Sequence, residues 1–318
     1  MQKEILEFLK KKEGYVSGEE ISQHLAISRQ ALWKHIQELR DLGFDIAAVP
    51  HLGYRFLSSP DRLLPFEISS DLQTKFLGRK IYYFERVSST MDVAMQLGAQ
   101  NTPEGTLVIA ESQSKGRGRL GRSWISPKYK GIYVSLILRP KMLPAQVSTL
   151  TLMAAVSICE AVRQTSGLEV QIKWPNDILM DNKKLGGILT ELEAELDATN
   201  FVTIGIGLNV NNSRAELDNS AISLREAAGH SFNRVELLRE ILRKIEKNYL
   251  ILQKKGALAI LEKWRSYNIT LGRRVKVVCR KEHLEGEAVD IDTDGGLLVR
   301  RESGLIDKFM AGDVVHLR

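Results

Sequence analysis

The segment Lys173-Trp-Pro-Asn-Asp-Ile-Leu-Met-Asp-Asn-Lys-Lys-Leu-Gly-Gly-Ile-Leu189 is predicted to run from a strand end into a turn, a strand, a second turn and a returning strand. Its Trp-Pro-Asn-Asp tract is typical of a turn at the end of a strand. Ile178 to Met180 is predicted as a strand, and Asp181-Asn182 as the hairpin turn after it. The returning strand carries Lys184 beside Gly186-Gly187, where a ligand can approach bare backbone. The segment therefore predicts an antiparallel hairpin with a candidate ligand-binding lysine.

Strands and helices alternate irregularly on both sides of this hairpin. The patterning predicts strands at residues 81–85, 107–111, 131–138, 169–174, 185–192 and 201–210, and helices at residues 91–99, 146–165 and 234–254. This is not a regular strand–helix–strand alternation, so it predicts an α+β domain with a mixed, largely antiparallel sheet. Gly205 and Gly207 alternate in the last strand, and they indicate an open face, a bulge or close strand packing.

The two ends of the chain have different patterns. From Gly272 onward, short strands are predicted at residues 273–279, 285–290, 297–300, 305–309 and 314–317, which fits a small five-stranded barrel. The N-terminal segment instead predicts three helices, at residues 2–12, after a capping box at Ser17, and at residues 29–42 after Ser28. Strands at 44–49 and 54–57 then flank a turn, and Ser58-Ser-Pro-Asp61 is a plausible linker.

Two short helices across a tight turn, followed by a β-hairpin, are typical of a winged helix-turn-helix DNA-binding domain. The outward face of the third helix offers polar side chains and one tryptophan to a DNA groove. The predicted DNA-binding residues are Ser28, Arg29, Gln30, Trp33, Lys34 and Gln37, and Arg40 lies on the same predicted face. The alternative is a protein-interaction module with a solvated polar face.

Charge and composition exclude several classes of protein. The chain has 318 residues and a net charge of +6, and this excess lies within residues 61–270 because both ends are neutral. Six basic residues and no acid fall in residues 115–130, so a general nucleic-acid coat is not indicated. Uninterrupted apolar runs are too short for a membrane span, and the N-terminus does not resemble a signal peptide. The two cysteines form no CxxC motif, which predicts a reducing, cytoplasmic location.

The segment Gly116-Arg-Gly-Arg-Leu-Gly121 matches the G-x-G-x-x-G dinucleotide fingerprint, but its context excludes that function. The fingerprint requires a helix directly after the glycines, and Arg122 to Pro127 cannot start a long helix. A flexible cationic loop fits better, because its arginines supply rigid donors for phosphate or carboxylate oxygens. The competing interpretation is a solvated basic loop.

Other catalytic signals are weak. The six histidines form no metal-binding motif, no zinc site is completed by the cysteines, and no G-x-S-x-G elbow is present. Hydrolysis through a covalent nucleophile is therefore unsupported, and metal ligands are not identified. Ser89-Thr90 precedes a predicted helix, where simple N-capping competes with ligand binding.

Taken together, these motifs occur in one characteristic order. Ser89-Thr90, Gln113 ahead of Gly116 to Arg119, Lys173 to Asp177, Lys184 to Ile188 and Gly205 to Asn209 resemble the family of bifunctional biotin–protein ligases and biotin operon repressors. The resemblance covers essentially the whole chain. It implies a winged helix-turn-helix domain at residues 1–61, a class II synthetase-like mixed α/β catalytic domain at 62–270 and an SH3-like β-barrel at 271–318.

The resemblance also implies the reaction. Biotin's carboxylate attacks the α-phosphate of ATP, with Mg²⁺, to give biotinyl-5′-AMP and pyrophosphate. A lysine of the biotin carboxyl carrier protein of acetyl-CoA carboxylase then takes the biotin and releases AMP. The residues implied to bind biotin and its adenylate are Ser89, Thr90, Gln113, Gly116, Arg117, Gly118, Arg119, Lys184 and Gly187. Those implied to bind the nucleotide are Arg122, Trp124, which would stack on adenine, and Asn209.

Catalytic roles are implied for Lys184 and Arg119 at the phosphate, and for Asp177. Asp177 either orients or deprotonates the incoming lysine, or braces Lys173. Met91 departs from the asparagine that some relatives carry. The resemblance further implies operator DNA binding by a homodimer, with biotinyl-5′-AMP as corepressor. The alternatives are a lipoate–protein ligase, a ligand-sensing repressor without ligase activity, and a ligase whose N-terminal module binds only protein.

Overall fold

The computed structural model describes residues 1–196, 198–279 and 282–317. The chain forms two compact units, Met1–Arg62 and Leu63–Arg318. The C-terminal strands belong to the second unit, and the finer division into three domains, with boundaries after residues 61 and 270, stays a prediction.

The first unit has the predicted order of elements: α1 (Gln2–Lys10), α2 (Gly18–His24), α3 (Arg29–Asp41), β1 (Asp45–Val49) and β2 (Gly53–Ser58). Its core consists of apolar side chains from all three helices: Ile5, Leu6, Leu9, Ile21, Leu32, Ile36 and Leu39. Both predicted helix caps form. Ser17 Oγ accepts from Glu20 N at 3.1 Å, and Ser28 Oγ accepts from Ala31 N at 3.1 Å. The reciprocal half of the capping box does not form, because the Glu20 carboxylate binds Lys12 Nζ at 2.9 Å.

The β1–β2 hairpin is antiparallel and forms the wing of a winged helix-turn-helix. The turn of the hairpin ends at Gly53, which has φ +105°. The next residue, Tyr54, forms an antiparallel bridge with Val16. A Cβ at residue 53 would lie 2.0 Å from Val16 O, so only glycine fits there. This contact fixes the wing against the segment that leads into α2.

The Ser28 cap supplies a testable contribution to the stability of α3. Replacing Ser28 with alanine leaves a backbone N–H of the first turn without its acceptor and is expected to cost about 1 kcal/mol. Amide hydrogen exchange in α3 should then be about fivefold faster, because 1.4 kcal/mol corresponds to a factor of ten. Ser28→Asp, which retains a capping oxygen, serves as the matched control. Equal protection in Ser28→Ala and the parent chain would contradict the role of the cap.

The second unit is built on a seven-stranded sheet in the order β3-β4-β5-β9-β8-β7-β6. Its strands are β3 (Ile81–Phe84), β4 (Leu107–Ala110), β5 (Ile132–Leu138), β6 (Gln171–Lys173), β7 (Asp177–Met180), β8 (Lys183–Ala194) and β9 (Thr199–Leu208). Within it β3 and β4 are parallel, and the other neighbouring strands are antiparallel. The predicted mixed, largely antiparallel sheet is thereby confirmed.

Helices cover both faces of this sheet. They are α4 (Pro65–Ser69), α5 (Thr90–Ala99), α6 (Ser148–Ser166), α7 (Leu224–Ala228), α8 (Arg234–Lys255) and α9 (Leu258–Tyr267). The sequence predicted α5, α6 and α8 but missed α4, α7 and α9. α4 and α7 have five residues each and carry little periodic signal, whereas α9 is as long as α5. α5 packs against β4, β5 and β9, while α6, α8 and α9 pack together in the larger core. Because both faces are covered, β4 and β5 are buried along their whole length.

α6 is the most apolar helix of this core. By length and composition alone, Pro144–Ser166 could cross a membrane, because it contains an 18-residue window with a mean hydropathy of 1.5. The sequence prediction considered only uninterrupted apolar runs and therefore missed this segment. However, 72% of that window is buried inside the protein. The apolar composition is that of a core helix packed on both α8 and α9.

The C-terminal strands form a five-stranded antiparallel sheet in the order β13-β12-β11-β10-β14. They are β10 (Arg274–Cys279), β11 (Glu282–Ile291), β12 (Leu297–Arg300), β13 (Ile306–Phe309) and β14 (Asp313–His316). Their alternate residues Val275, Val277, Ala288, Leu297 and Val299 are buried. The predicted five short strands are confirmed, and β14 lies close to the loop of arginines described below.

A buried ion pair anchors the start of this unit. Arg234 Nη1 donates to Glu111 Oε2 at 2.9 Å, and both side chains are fully buried. Glu111 Oε1 also accepts from the backbone N–H of Leu63, the first residue of the unit, at 2.6 Å. Buried charges require such pairing, since a lone charge there is strongly destabilising. Glu111 lies two residues before Gln113, so the anchor adjoins the site.

Candidate active site

A cavity of about 470 Å³ brings together residues from the start of α5, the β7–β8 hairpin, β14 and the loop of residues 116–122, which is called the arginine loop below. It collects most of the side chains predicted from the sequence: Ser89, Thr90, Gln113, Arg117, Gly118, Arg119, Arg122, Trp124, Asp177, Lys184 and Gly187. Two predicted residues, Gly116 and Asn209, do not line it. Both polar and apolar side chains line the cavity, as expected for a small-molecule site.

One end of the cavity is a hydrogen-bonded polar cluster. Gln113 Oε1 accepts from Thr90 N at 2.8 Å and from Thr90 Oγ1 at 3.2 Å. Ser135 Oγ donates to Thr90 Oγ1 at 2.8 Å, and Gln113 Nε2 donates to Ser126 Oγ at 3.0 Å. Four polar side chains thus hold one another in fixed orientations around the start of α5.

Ser89 lies next to this cluster in the chain but does not share its hydrogen bonds. It occupies the N-cap position of α5, yet its side chain makes no capping hydrogen bond, so the N-capping interpretation is wrong. Its hydroxyl is fully buried and has no partner among the residues that the structure describes. Buried hydroxyls are normally hydrogen-bonded, so this group is available to a ligand.

The arginine loop is not a helix N-terminus. Arg119–Gly121 forms a single 3₁₀ turn, and Gly118 N donates to Arg122 O at 2.7 Å across the loop. A Cβ at residue 116 would lie 2.3 Å from Trp124 O, so this glycine is required by close packing. The exclusion of a dinucleotide-binding fingerprint is therefore confirmed by the local geometry.

Each arginine of this loop is held by an acceptor of the protein. Arg117 pairs with Asp92 at 2.7 Å and with Glu191. Arg119 Nη1 donates to Asn176 Oδ1 at 3.0 Å and to Gly312 O at 3.3 Å. Arg122 pairs with Asp313. The loop is therefore anchored to β8, to the β6–β7 turn and to the C-terminal sheet, while Arg117 and Arg122 stay exposed to solvent.

Lys184 and Asp177 form an ion pair inside the cavity, with Nζ and Oδ1 2.7 Å apart. The sequence left open whether Asp177 braces Lys173 or acts on an incoming lysine, and the structure pairs it with Lys184. Lys184 Nζ also lies 5.7 Å from the centre of the Trp124 ring. Burial lowers the pKa of Lys173 and also that of Arg119.

Cross-strand register aligns the centre of the site. Asp177 lies opposite Gly187, and Gly187 lies opposite Gly207, so the three share one face of β7, β8 and β9. A Cβ on Gly207 would lie 2.5 Å from the Trp124 ring, so the indole covers these glycines. Gly205 is covered in the same way by Met91, whose sulfur would lie 2.5 Å from an added Cβ. The alternating glycines of β9 therefore serve close packing beneath a ligand site.

Asn209 does not line the cavity. It is 4% exposed, and its amide donates to Ile222 O at 3.3 Å. Its nucleotide-binding role stays a prediction. Conversely, sequence reasoning missed Asn176 as a partner of Arg119, and missed Asp313, which β14 brings to the loop from 191 residues away. The motif around Asn176 was the available signal for the first, and no local signal exists for the second.

The exposed face of α3 forms a second candidate site, within the first unit. Arg29, Gln30, Trp33 and Lys34 are all exposed, with Trp33 at 57%, while Gln37 is partly covered. Ser28 caps the helix at the same end. Arg40 does not join this face, because its guanidinium donates to Ile46 O at 2.6 and 3.0 Å, and that part of the prediction is wrong. An exposed polar face with one aromatic side chain is suited to a DNA groove.

The fold combines an α/β unit that contains a small-molecule cavity with a winged helix-turn-helix unit. Residues 83–210 match the biotin/lipoate A/B protein ligase family, residues 2–55 an HTH domain, and residues 270–317 the biotin protein ligase C-terminal domain. The chain is 40% identical over 304 residues to the bifunctional ligase/repressor BirA of Bacillus subtilis, covering 94% of this chain and 93% of that protein. It is 31% identical to the Escherichia coli protein of the same name, over 94% and 92% of the two chains.

Solved structures agree with these relatives. The Aquifex aeolicus biotin protein ligase in complex with biotin and ATP aligns with a TM-score of 0.64 at 30% identity, covering 76% of this chain and 99% of that one. The chain belongs to the family of bifunctional biotin–protein ligases and biotin repressors. It is a biotin–protein ligase with a repressor's helix-turn-helix unit.

Proposed function

We propose that the cavity makes biotinyl-5′-AMP from biotin and ATP, and then transfers biotin to a lysine of a biotin carboxyl carrier protein. The observation that carries this proposal is that the two ends of the cavity differ in chemical character. Its Ser89 end offers neutral hydrogen-bonding groups, and its Lys184 end offers cations beneath a glycine- and arginine-rich loop. Biotin likewise has a neutral ureido ring at one end and a carboxylate at the other, and in the adenylate the anionic end is the phosphate.

Ser89, Thr90 and Gln113 are proposed to bind the ureido ring of biotin. The ring carries one carbonyl acceptor and two N–H donors, which match hydroxyl and amide partners. Ser89 Oγ has no partner among the described residues, and Thr90 is already oriented by Gln113 and Ser135. A lipoyl group has no such ring, so these contacts favour biotin over lipoate.

Lys184 and Arg119 are proposed to stabilise the phosphate during adenylate formation. Attack of a carboxylate on a phosphate brings two anions together, and cations fixed in advance lower that barrier. Arg117 and Gly118 are proposed to help hold the adenylate, with Gly116 shaping the loop. Trp124 is proposed to stack on adenine, and Arg122 to contact the nucleotide.

Magnesium is proposed to accompany ATP. The described residues contain no cluster of three or more His, Cys, Asp or Glu side chains able to hold a metal. Asp177, Asp218 and Asp313 line the cavity, and two of them are already in ion pairs. This donor set fits a Mg²⁺ ion that enters on the ATP phosphates with few protein ligands, where it would neutralise phosphate charge.

Asp177 is proposed to act in the second step. When the lysine of the carrier attacks the carbonyl of the mixed anhydride, AMP leaves, and the amine must shed a proton. The carboxylate lies within hydrogen-bond distance of Lys184 Nζ and lines the cavity, which suits a group that orients the incoming amine. The loop of residues 116–122 is proposed to cover the anhydride and exclude water from it.

The ligase proposal is tested by labelling a purified carrier domain. With biotin and ATP, the parent chain should label one lysine of the carrier, and with lipoate and ATP it should not. Labelling with lipoate would favour a lipoate–protein ligase, and operator binding without labelling by either acid would favour a repressor without ligase activity.

The first unit is proposed to bind operator DNA through Ser28, Arg29, Gln30, Trp33, Lys34 and Gln37. A homodimer of the adenylate-bound chain would place two such helices on half-sites about 34–36 Å, or several turns, apart. Biotinyl-5′-AMP would then act as corepressor if it favours the dimer. We also propose a cytoplasmic location without membrane association, in keeping with Cys159 and Cys279 remaining unpaired thiols.

The modular design predicts the behaviour of a fragment comprising residues 62–318. It retains the whole second unit and the Leu63–Glu111 contact, so it should still biotinylate a carrier. It should lose operator binding, measured by electrophoretic mobility shift. A folded fragment without ligase activity would contradict independent catalysis, and retained operator binding would contradict the assignment of the first unit.

A further inference from the structure

Lys173 differs from the other cations of the cavity in having no side-chain partner in the part of the chain that the structure describes. The cationic side chains that line it are Arg117, Arg119, Arg122, Lys173 and Lys184. The three arginines and Lys184 each contact a protein acceptor. Among the described residues, Lys173 forms neither a side-chain hydrogen bond nor an ion pair.

The position of Lys173 extends the row of residues across the sheet. Lys173 on β6 lies directly opposite Asp177, which in turn lies opposite Gly187. Residues directly opposite one another share a face, and neighbouring strands are about 4.8 Å apart. Lys173 therefore lies one strand beyond the Asp177–Lys184 pair, on the edge strand of the sheet, and it lines the cavity together with Asp313 of β14.

Two carboxylates and two cations act on the Lys173 ammonium. Its half-burial lowers the pKa of the ammonium, while Asp177 and Asp313 raise it and Lys184 and Arg122 lower it. Asp177 and Asp313 are each already paired with another cation. Keeping a half-buried ammonium without a direct partner costs free energy, so an anionic ligand is the expected counterpart.

We propose that Lys173 binds the β- and γ-phosphates of ATP and stabilises the pyrophosphate as it leaves. This inference rests on the proposed adenylation. ATP brings about four negative charges to the site and the adenylate keeps one, so most of the charge that needs cations belongs to the leaving group. Lys184 and Arg119 are assigned to the α-phosphate, and Lys173 is the cavity cation not assigned or engaged elsewhere.

The step itself is an in-line displacement. A carboxylate oxygen of biotin forms a bond to the α-phosphorus, the bond between that phosphorus and the oxygen bridging to the β-phosphate breaks, and the electron pair leaves with pyrophosphate. Lys173 remains an ammonium throughout and donates hydrogen bonds to the leaving oxygens. Its contribution is electrostatic, and no proton is transferred.

The test separates the two halves of the reaction in the full-length chain. Lys173→Met removes the charge and keeps an unbranched side chain. We expect kcat/KM for ATP in pyrophosphate release to fall by about 10- to 100-fold, as for a lost charge-assisted hydrogen bond. Inhibition by added inorganic pyrophosphate should weaken by a similar factor. Transfer from chemically made biotinyl-5′-AMP to the carrier should stay within about twofold of the parent rate, and Lys173→Arg should recover part of the first step.

Lys141→Met is the matched control, because Lys141 is exposed and does not line the cavity. An unchanged kcat/KM for ATP in Lys173→Met overturns the inference, and so does an equal loss of both halves, which indicates a structural role. Failure of the parent chain to form adenylate from biotin and ATP overturns the proposed function instead, whatever the variant does.

Discussion

Replacing Lys184 with alanine should slow adenylate formation by about 10²- to 10³-fold, the loss expected for one preorganised donor at a reacting phosphate. The variant removes a cation from the cavity and leaves the Asp177 carboxylate, 2.7 Å from Nζ in the parent chain, without its partner. That free carboxylate repels the phosphate, so the loss should fall on kcat for pyrophosphate release. Thermal unfolding should change little, because Lys184 is partly exposed.

Lys183→Ala provides the control on the same strand. Lys183 lies opposite Met180 in the hairpin and does not line the cavity, so its removal should leave pyrophosphate release unchanged. A folded Lys184→Ala protein that releases pyrophosphate at the parent rate would show that Lys184 does not act on the phosphate.

Arg119→Gly should keep part of the adenylation activity but release the intermediate. The side chain donates to Asn176 Oδ1 and Gly312 O and so fastens the loop to two other parts of the site. Losing up to two charge-assisted hydrogen bonds, each about 1.5–3 kcal/mol, should speed adenylate dissociation by about 10²- to 10⁴-fold. The released anhydride should then acylate exposed lysines of unrelated proteins.

The measurements are dissociation of pre-formed adenylate and labelling of a bystander protein in the same reaction. Arg117→Gly is the matched variant, because Arg117 belongs to the same loop but pairs with Asp92 and Glu191 instead. If Arg119→Gly forms adenylate and retains it as long as the parent chain, the clamp lies at Arg117 or Arg122.

Local features of the fold were predictable because they depend on neighbouring residues. The caps at Ser17 and Ser28 and the wing hairpin follow from short-range patterning. The Gly116–Gly121 segment was correctly predicted not to be a helix N-terminus, since Arg122 to Pro127 are next in the chain. Short helices such as α4 and α7 were missed, because five residues carry too little periodicity.

The site was predictable as a set of residues but not as a set of contacts. The sequence determined that this chain carries a glycine- and arginine-rich loop, a hairpin lysine and a polar Ser-Thr pair. Only the tertiary structure decided that Asp177 pairs with Lys184. It also decided that, among the described residues, the Ser89 hydroxyl has no partner and Lys173 has no acceptor.

The physical reason is the range of each interaction. A cap or a turn is formed by residues within a few positions of one another, so the sequence contains both partners side by side. A guanidinium takes its partner from whatever surface the fold brings near, as Arg122 does with Asp313 across 191 residues. The sequence alone therefore determined which chemical groups this protein has and their local backbone, and the packing of sheet, helices and C-terminal strands decided which groups meet.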